Sequence, residues 1–282
     1  ASQKRKTGAY DCLMLLSGGK DSTYALGLLV EMGYIVLAFT LDNGYISQQA
    51  LDNVERVAKE LGVDCVVGST PAMNEIFVDS LQRFSNVCNG CFKTIYTLAT
   101  QVAVEKGIPI IVTGLSRGQF FETRLTEELF RDDRLDPDAI DDIILTARKE
   151  YHQVDDAVKR LMDTSIFEDG KVFEQVEFVD FYRYTDVSLQ EMYIYLDDRL
   201  PWIRPTDTGR STNCLINKLG IHIHTKLEGH SNYAFPYAWD VRMGHKQRDT
   251  AIDEINEPID LEEVQQMMQE IGYVEPQPAT RE

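Results

Sequence analysis

Long apolar runs are missing: nothing in the 282 residues approaches the ~20 that a membrane-spanning helix needs, so no membrane partner is expected. The basic start Lys4 to Lys6 is followed by no apolar segment of secretory type, which makes the cytoplasm the expected location. Cysteine is scarce and odd in number, with five residues (Cys12, Cys65, Cys88, Cys91 and Cys214). A disulfide framework is thereby disfavoured, and metal binding or thiol chemistry is left open. Positive charge is short as well: 28 Lys and Arg stand against 46 Asp and Glu, a net −18 that repels nucleic acid at long range unless the cations gather on one face. No internal repeat occurs, and the longest low-complexity tract is the terminal EPQPATRE. There is no initial methionine, so a piece of a longer polypeptide is one expectation, and the first nine residues carry no structural weight.

What is present is the composition of an ordinary globular protein, 43% hydrophobic and 26% charged, enough for one large or two modest domains. Short continuous apolar runs alternate with helical patterns. DCLMLL (11–16), YIVLAFTLD ending near Asp42, VDCVVG and IPIIVTG read as four buried strands, with Cys12 and Cys65 as core thiols. Between them lie a helix from Ser22 to about Met32, one capped by Ser47 and stopped by Gly62, a helical AMNEIFVDSLQRF, and a helix from about Phe92 to Lys106. Strand and helix in alternation argue an α/β fold, a doubly wound parallel sheet. Residues 117–170 are charged and helical in pattern, an insertion or lid over the sheet edge. KVFEQVEFVDFYRYT alternates as a strand does, Ser188 caps a further helix, and GIHIHTK reads as a strand with His222 and His224 on one face.

Between the first strand and its helix stands SGGKDS. A strand-to-helix turn offers free amides and the positive end of a helix, so an anion binds there. Gly18 and Gly19 let the backbone approach oxygens closely, Ser17 and Ser22 offer hydroxyls, Lys20 a charge, and Asp21 a carboxylate that can hold magnesium beside a polyphosphate. Neither the Gly-x-x-x-x-Gly-Lys pattern nor Gly-x-Gly-x-x-Gly is matched, which disfavours Walker-type hydrolases and dinucleotide enzymes. The hexapeptide resembles the PP-loop of the N-type ATP pyrophosphatases, which cleave ATP between its α and β phosphates and adenylate a carbonyl oxygen. The likeness covers residues 11–114 and resumes faintly around 176–216. It implies a Rossmann-like core (1–116), a helical insertion or lid (117–172), and a C-terminal region (173–282) that ends the sheet and carries substrate and cluster. It further implies that Ser17, Gly18, Gly19, Asp21 and Ser22 hold pyrophosphate and Mg2+, with Lys20 and Asp21 as catalytic candidates. By the same likeness the backbone of Phe39, Thr40 and Leu41 reads adenine, and Gly114 lies beside the nucleotide.

Cys88 and Cys91 form a Cys-x-x-Cys pair on a turn entering a helix, a spacing that aims two sulfurs at one centre, and Cys214 lies in a polar loop where a core thiol is out of place. Three thiolates can anchor a cubane and leave one iron open. This arrangement is similar to the iron-sulfur tRNA thiolation enzymes of the same superfamily, which implies a [4Fe-4S] cluster on Cys88, Cys91 and Cys214. A persulfide or redox pair, a zinc site completed by His222 or His224, and plain packing remain alternatives. Arg117 and Arg210 are candidate phosphate or substrate contacts.

The expectation is an ATP-dependent sulfur transferase. An amide-forming amidotransferase, of the kind that aminates surface polysaccharide sugars, is the second enzymatic reading, and a non-catalytic ATP-binding sensor is the third. The acidic charge favours a small-molecule or carrier-bound carbonyl substrate over tRNA. A homodimer stays open, and the sulfur donor is not written in the sequence.

Overall fold

The computed structural model describes residues 8–115, 137–208, 212–242 and 244–275. Apolar runs become strands: β1 (Cys12–Leu15), β2 (Val36–Leu41), β3 (Asp64–Gly68), β4 (Ile110–Thr113) and β5 (Glu177–Asp180). All pairings are parallel, in the order β3-β2-β1-β4-β5. The chain winds outward from β1 through β2 to β3, then returns past β1 to lay down β4. The direction of winding therefore reverses between β1 and β4, where the ends of the two strands open a crevice. Every residue of β2 is buried, as a central strand covered on both faces requires.

Helices α1 (Lys20–Glu31), α2 (Gln48–Leu61), α3 (Met73–Phe84) and α4 (Cys88–Glu105) connect these strands. Alternate residues of β1 feed two cores. Leu13 joins Leu37, Phe39 and Ile111 against α3 and α4, whereas Cys12, Met14 and Leu16 join Ala38 and Val112 against α1 and α2. Ser47 caps α2 by accepting the Ala50 N–H at 3.1 Å, and Gly62, at φ +63°, ends it. Cys12 is buried as expected. Cys65 is exposed, contrary to expectation, because β3 is the edge of the sheet and its strand is open to solvent.

Beyond β4 come α5 (Pro137–Gln153), α6 (Ala157–Leu161), α7 (Val172–Gln175), α8 (Leu189–Arg199), α9 (Asn217–Glu228), α10 (Ala234–Arg242), α11 (Arg248–Ile255) and α12 (Leu261–Ile271). The alternation in KVFEQVEFVDFYRYT yields only the four residues of β5, flanked by the turn of α7 and a 3-10 turn at Phe181–Arg183. Helix α5 is fixed to the sheet: Arg148 Nη2 meets Asp180 Oδ2 at 2.7 Å, with the two side chains 5% and 3% exposed. Thr113 Oγ1 donates to the other Asp180 oxygen at 2.7 Å. A second tie runs from Lys93 Nζ on α4 to Asp156 Oδ2 at 2.6 Å. Burial holds the Lys93 pKa below its ordinary value despite the pull of Asp156. Among the described residues no helix is long and apolar enough to cross a membrane.

Candidate functional site: a phosphate cradle beside three cysteines

The loop after β1 is shaped by what stands behind it. Gly18 has φ +75°, and a Cβ there would lie 2.0 Å from the Ala50 carbonyl oxygen, so only glycine fits. Its own carbonyl accepts Trp202 Nε1 at 2.9 Å and Asn53 Nδ2 at 3.2 Å. Both donors are buried, and they fix the position of that carbonyl. On the open side, Ser17 Oγ and Ser22 Oγ are 3.0 Å apart, and Asn213 Nδ2 donates to Ser17 Oγ at 3.1 Å. Lys20 Nζ pairs with Asp21 Oδ2 at 2.6 Å. Burial pulls the Lys20 pKa down, but Asp21 pulls it up harder, and the net shift is upward. The ammonium is thus kept charged in the loop. Tyr182 Oη donates to the Asp21 carbonyl at 2.9 Å.

Two cavities meet at this loop. The larger, about 600 Å3, is walled by Lys20 and Asp21 on one side and by Trp202, Arg204, Tyr233 and Tyr237 on the other. The smaller, about 190 Å3, is lined by Phe39, Thr40 and Leu41 at the end of β2 and by Gly114 and Leu115 after β4. Ser17, Ser22, Gly114 and Asn213 border both. A Cβ on Gly114 would fall 2.6 Å from Ser22 Cα, so β4 and α1 touch through bare backbone. Of the phosphate, adenine and Gly114 candidates, Ser17, Lys20, Asp21, Ser22, Phe39, Thr40, Leu41 and Gly114 line one or other of these cavities, whereas Gly18 and Gly19 lie in the same loop without lining either. Arg117 and Arg210 lie outside the described residues.

The cysteines arrive at the smaller cavity from two directions. Cys88 and Cys91 occupy the first turn of α4, which begins four residues earlier than expected because the Asn86 side chain accepts the Cys88 N–H at 2.8 Å. Three residues apart on a helix, they share a face. Cys214 is carried in by an antiparallel bridge to Ile46. Cys88, Cys91 and Cys214 all line that cavity. Asn43, buried just past β2, points its Nδ2 at Cys91 Sγ (3.4 Å) and Cys214 Sγ (3.5 Å). Burial pushes the Cys91 thiol up to about 12, aided by Cys214 and opposed by the Asn43 bond. Burial likewise raises Cys214 against the same bond.

Three sulfurs with no carboxylate or imidazole among them make a soft donor set, the type suited to an iron-sulfur cluster. They face one cavity without converging, since among the described residues no group of three His, Cys, Asp or Glu is close enough together to hold a metal ion. His222 and His224 lie on α9 rather than on a strand, and neither lines this cavity. His222 Nε2 stands 3.6 Å from Glu275 Oε1, and His224 Nδ1 meets the His230 carbonyl at 2.8 Å. Asn43, Asn53, Trp202 and Asn213 escape sequence reasoning. Their only trace is that Asn43 directly follows the end of a buried strand.

Residues 11–116 match the family model described as QueC: Queuosine biosynthesis protein QueC. Over 261 residues, 90% of this chain and 76% of that protein, the sequence is 24% identical to the uncharacterized protein MJ1599 of Methanocaldococcus jannaschii. Solved structures of similar outline include the predicted subunit of tRNA methyltransferase from Methanocaldococcus jannaschii, at 17% identity and TM-score 0.40 over 79% of this chain and 90% of that one. NMN synthetase from Francisella tularensis aligns over 96% of this chain and 90% of its own, at 13% identity and TM-score 0.45. The family match begins one residue before the strand that feeds the SGGKDS loop and ends two residues past Gly114, so this part of the chain, from strand through loop to Gly114, is similar to that family.

Proposed function

We propose that the protein is an ATP-dependent sulfur transferase that adenylates a carbonyl oxygen and replaces it with sulfur. The observation that carries this reading is that Ser17, Ser22 and Gly114 line the same cavity as Cys88, Cys91 and Cys214. In this reading residues 1–116 bind ATP, 117–172 cover the sheet edge, and 173–282 supply Cys214 and the acceptor wall.

An amide-type carbonyl oxygen is a poor leaving group. Its attack on the α-phosphorus of ATP forms a new O–P bond and breaks the bond to the β-phosphate. Pyrophosphate is stabilised as it leaves by the amides of Gly18 and Gly19, by Lys20, and by Mg2+ held on Asp21. A hydrosulfide-level sulfur then adds to the carbonyl carbon and loses its proton. The C–O bond breaks, AMP departs with the oxygen, and a thiocarbonyl remains. A [4Fe-4S] cluster on Cys88, Cys91 and Cys214 would supply a soft, open metal position for that sulfur. Asn43 keeps two of the three sulfur side chains turned toward the cavity. The acceptor we favour is a small or carrier-bound carbonyl compound, since a charge of −18 opposes a polyanion.

The test is anaerobic reconstitution with iron and sulfide, then incubation with ATP, Mg2+ and candidate acceptors, reading pyrophosphate and product mass. Acceptor-dependent pyrophosphate release with an oxygen-to-sulfur mass gain is expected, and Cys214→Ser should lose the gain while retaining adenylation. A nitrogen-containing product formed with ammonia would replace sulfur transfer by the amide-forming reading. Nucleotide binding without pyrophosphate release on any acceptor would leave only a sensor.

A further inference from the structure

Asn213 and Cys214 are neighbours in the chain, yet their side chains serve different places. Asn213 Nδ2 reaches Ser17 Oγ at 3.1 Å and stands where a Cβ on Gly19 would be, 2.2 Å away. Cys214 Sγ lies 3.5 Å from Asn43 Nδ2 on the cysteine side. Opposite directions from consecutive residues are what extended backbone imposes. That backbone is held without help from the Asn213 side chain: Ser47 N–H donates to the Asn213 carbonyl at 2.9 Å, and Leu215 N–H to the Tyr45 carbonyl at 2.8 Å. Among the described residues the Asn213 amide makes one side-chain hydrogen bond, to Ser17. It also borders both cavities. A donor so placed over a glycine-lined anion loop, and not needed for the local fold, has a phosphate oxygen as its natural partner.

We propose that Asn213 is a phosphate ligand of the nucleotide site and that the Asn213–Cys214 dipeptide couples the filling of the cradle to the placement of the third cysteine. This rests on reading the cradle as an ATP site. Coupling of this kind is reciprocal, so a change at Cys214 reports on the cradle and the reverse.

Inorganic pyrophosphate with Mg2+ is the probe, because it fills the cradle without an adenosine that could shield Cys214 directly. Binding is measured by calorimetry on the apo protein, and the alkylation rate of Cys214 relative to Cys91 by mass spectrometry of peptides. In the parent protein saturating pyrophosphate should change that ratio about fivefold or more. Asn213→Ala should bind pyrophosphate about tenfold more weakly, the loss of one hydrogen bond to a charged group, and at saturation its ratio should not respond. Asn213→Asp, of the same shape but unable to donate, should bind more weakly still while melting like the parent. Unchanged binding by both variants, or a Cys214 response that survives in both, overturns the proposal. A parent protein that binds neither pyrophosphate nor ATP instead overturns the ATP-site reading itself.

Discussion

At Gly18 a single methyl group is enough to disturb the site. The positive φ and the Ala50 carbonyl 2.0 Å from the missing Cβ leave no room for alanine without displacing the start of α2. Gly18→Ala should lower stability by about 1–3 kcal/mol and abolish nucleotide binding, read by thermal melting and calorimetry. Asp79 gives a residue-level test of pH dependence. Burial alone would raise its pKa, but the Ala157 N–H at 3.1 Å and the Arg83 and Arg160 guanidiniums outweigh it, and the net shift is downward. A depressed carboxylate contributes stability above its unfolded pKa of about 4 and loses it as pH falls through the lower folded value. Asp79→Asn should therefore cost about 1 kcal/mol near neutral pH. The gap from the parent should narrow as acid titration passes below about pH 4 and takes Asp79 through its lower folded value, as melting curves at stepped pH will show.

Among elements, the stretches 200–208 and 212–215 do work that no local pattern announces. Trp202 bonds the phosphate loop, Ile203 exchanges hydrogen bonds with Asn53, Asp207 accepts from Ser47 Oγ at 2.7 Å, and Cys214 bridges to Ile46. Trp202→Phe keeps the ring but loses the bond to the Gly18 carbonyl, so nucleotide affinity should fall roughly three- to tenfold while melting shifts little. The buried Arg148–Asp180 pair is one of the ties that hold helix α5, and Arg148→Met, which removes the cation and leaves Asp180 its Thr113 bond, should destabilise by about 3–5 kcal/mol. Adding Asp180→Leu should recover much of that loss, and a melting cycle on the three variants checks both. Strands β1, β2 and β4 were legible because each is a short apolar run between turn signals. Cys65 was misread because burial in β3 depends on strand order, which puts that strand at an edge. GIHIHTK looked like a strand in a short window, whereas the buried Ile216, Leu219 and Ile223 follow the helical period that prevailed. The SGGKDS loop and the three cysteines stand out in the sequence by their spacing, and the structure brings them to two adjoining cavities. Asn43 and Asn213 do not stand out, since each is a lone amide whose meaning comes from residues far away in the chain.

For the whole molecule, charge is the ground of the proposed choice of partner: the net is −18, and Glu254 and Glu257 share the wall of the larger cavity with Lys20 and Arg204. Bulk tRNA at about 0.15 M salt should bind no tighter than the micromolar to submillimolar non-specific range, and a tight, steeply salt-dependent complex in a filter-binding titration would reverse the preference for a small or carrier-bound acceptor. The SGGKDS loop, the end of β2 and Gly114 meet where strand winding reverses, so the crevice is complete only with β4 and the stretches 200–208 and 212–215 in place. The indole of Trp202, bonded to the Gly18 carbonyl, turns this arrangement into an intrinsic optical reporter. The chain has only one other tryptophan, Trp239, whose ring lies beside His245. Emission from Trp202 should change when the loop is occupied, so ligand screening needs no attached dye.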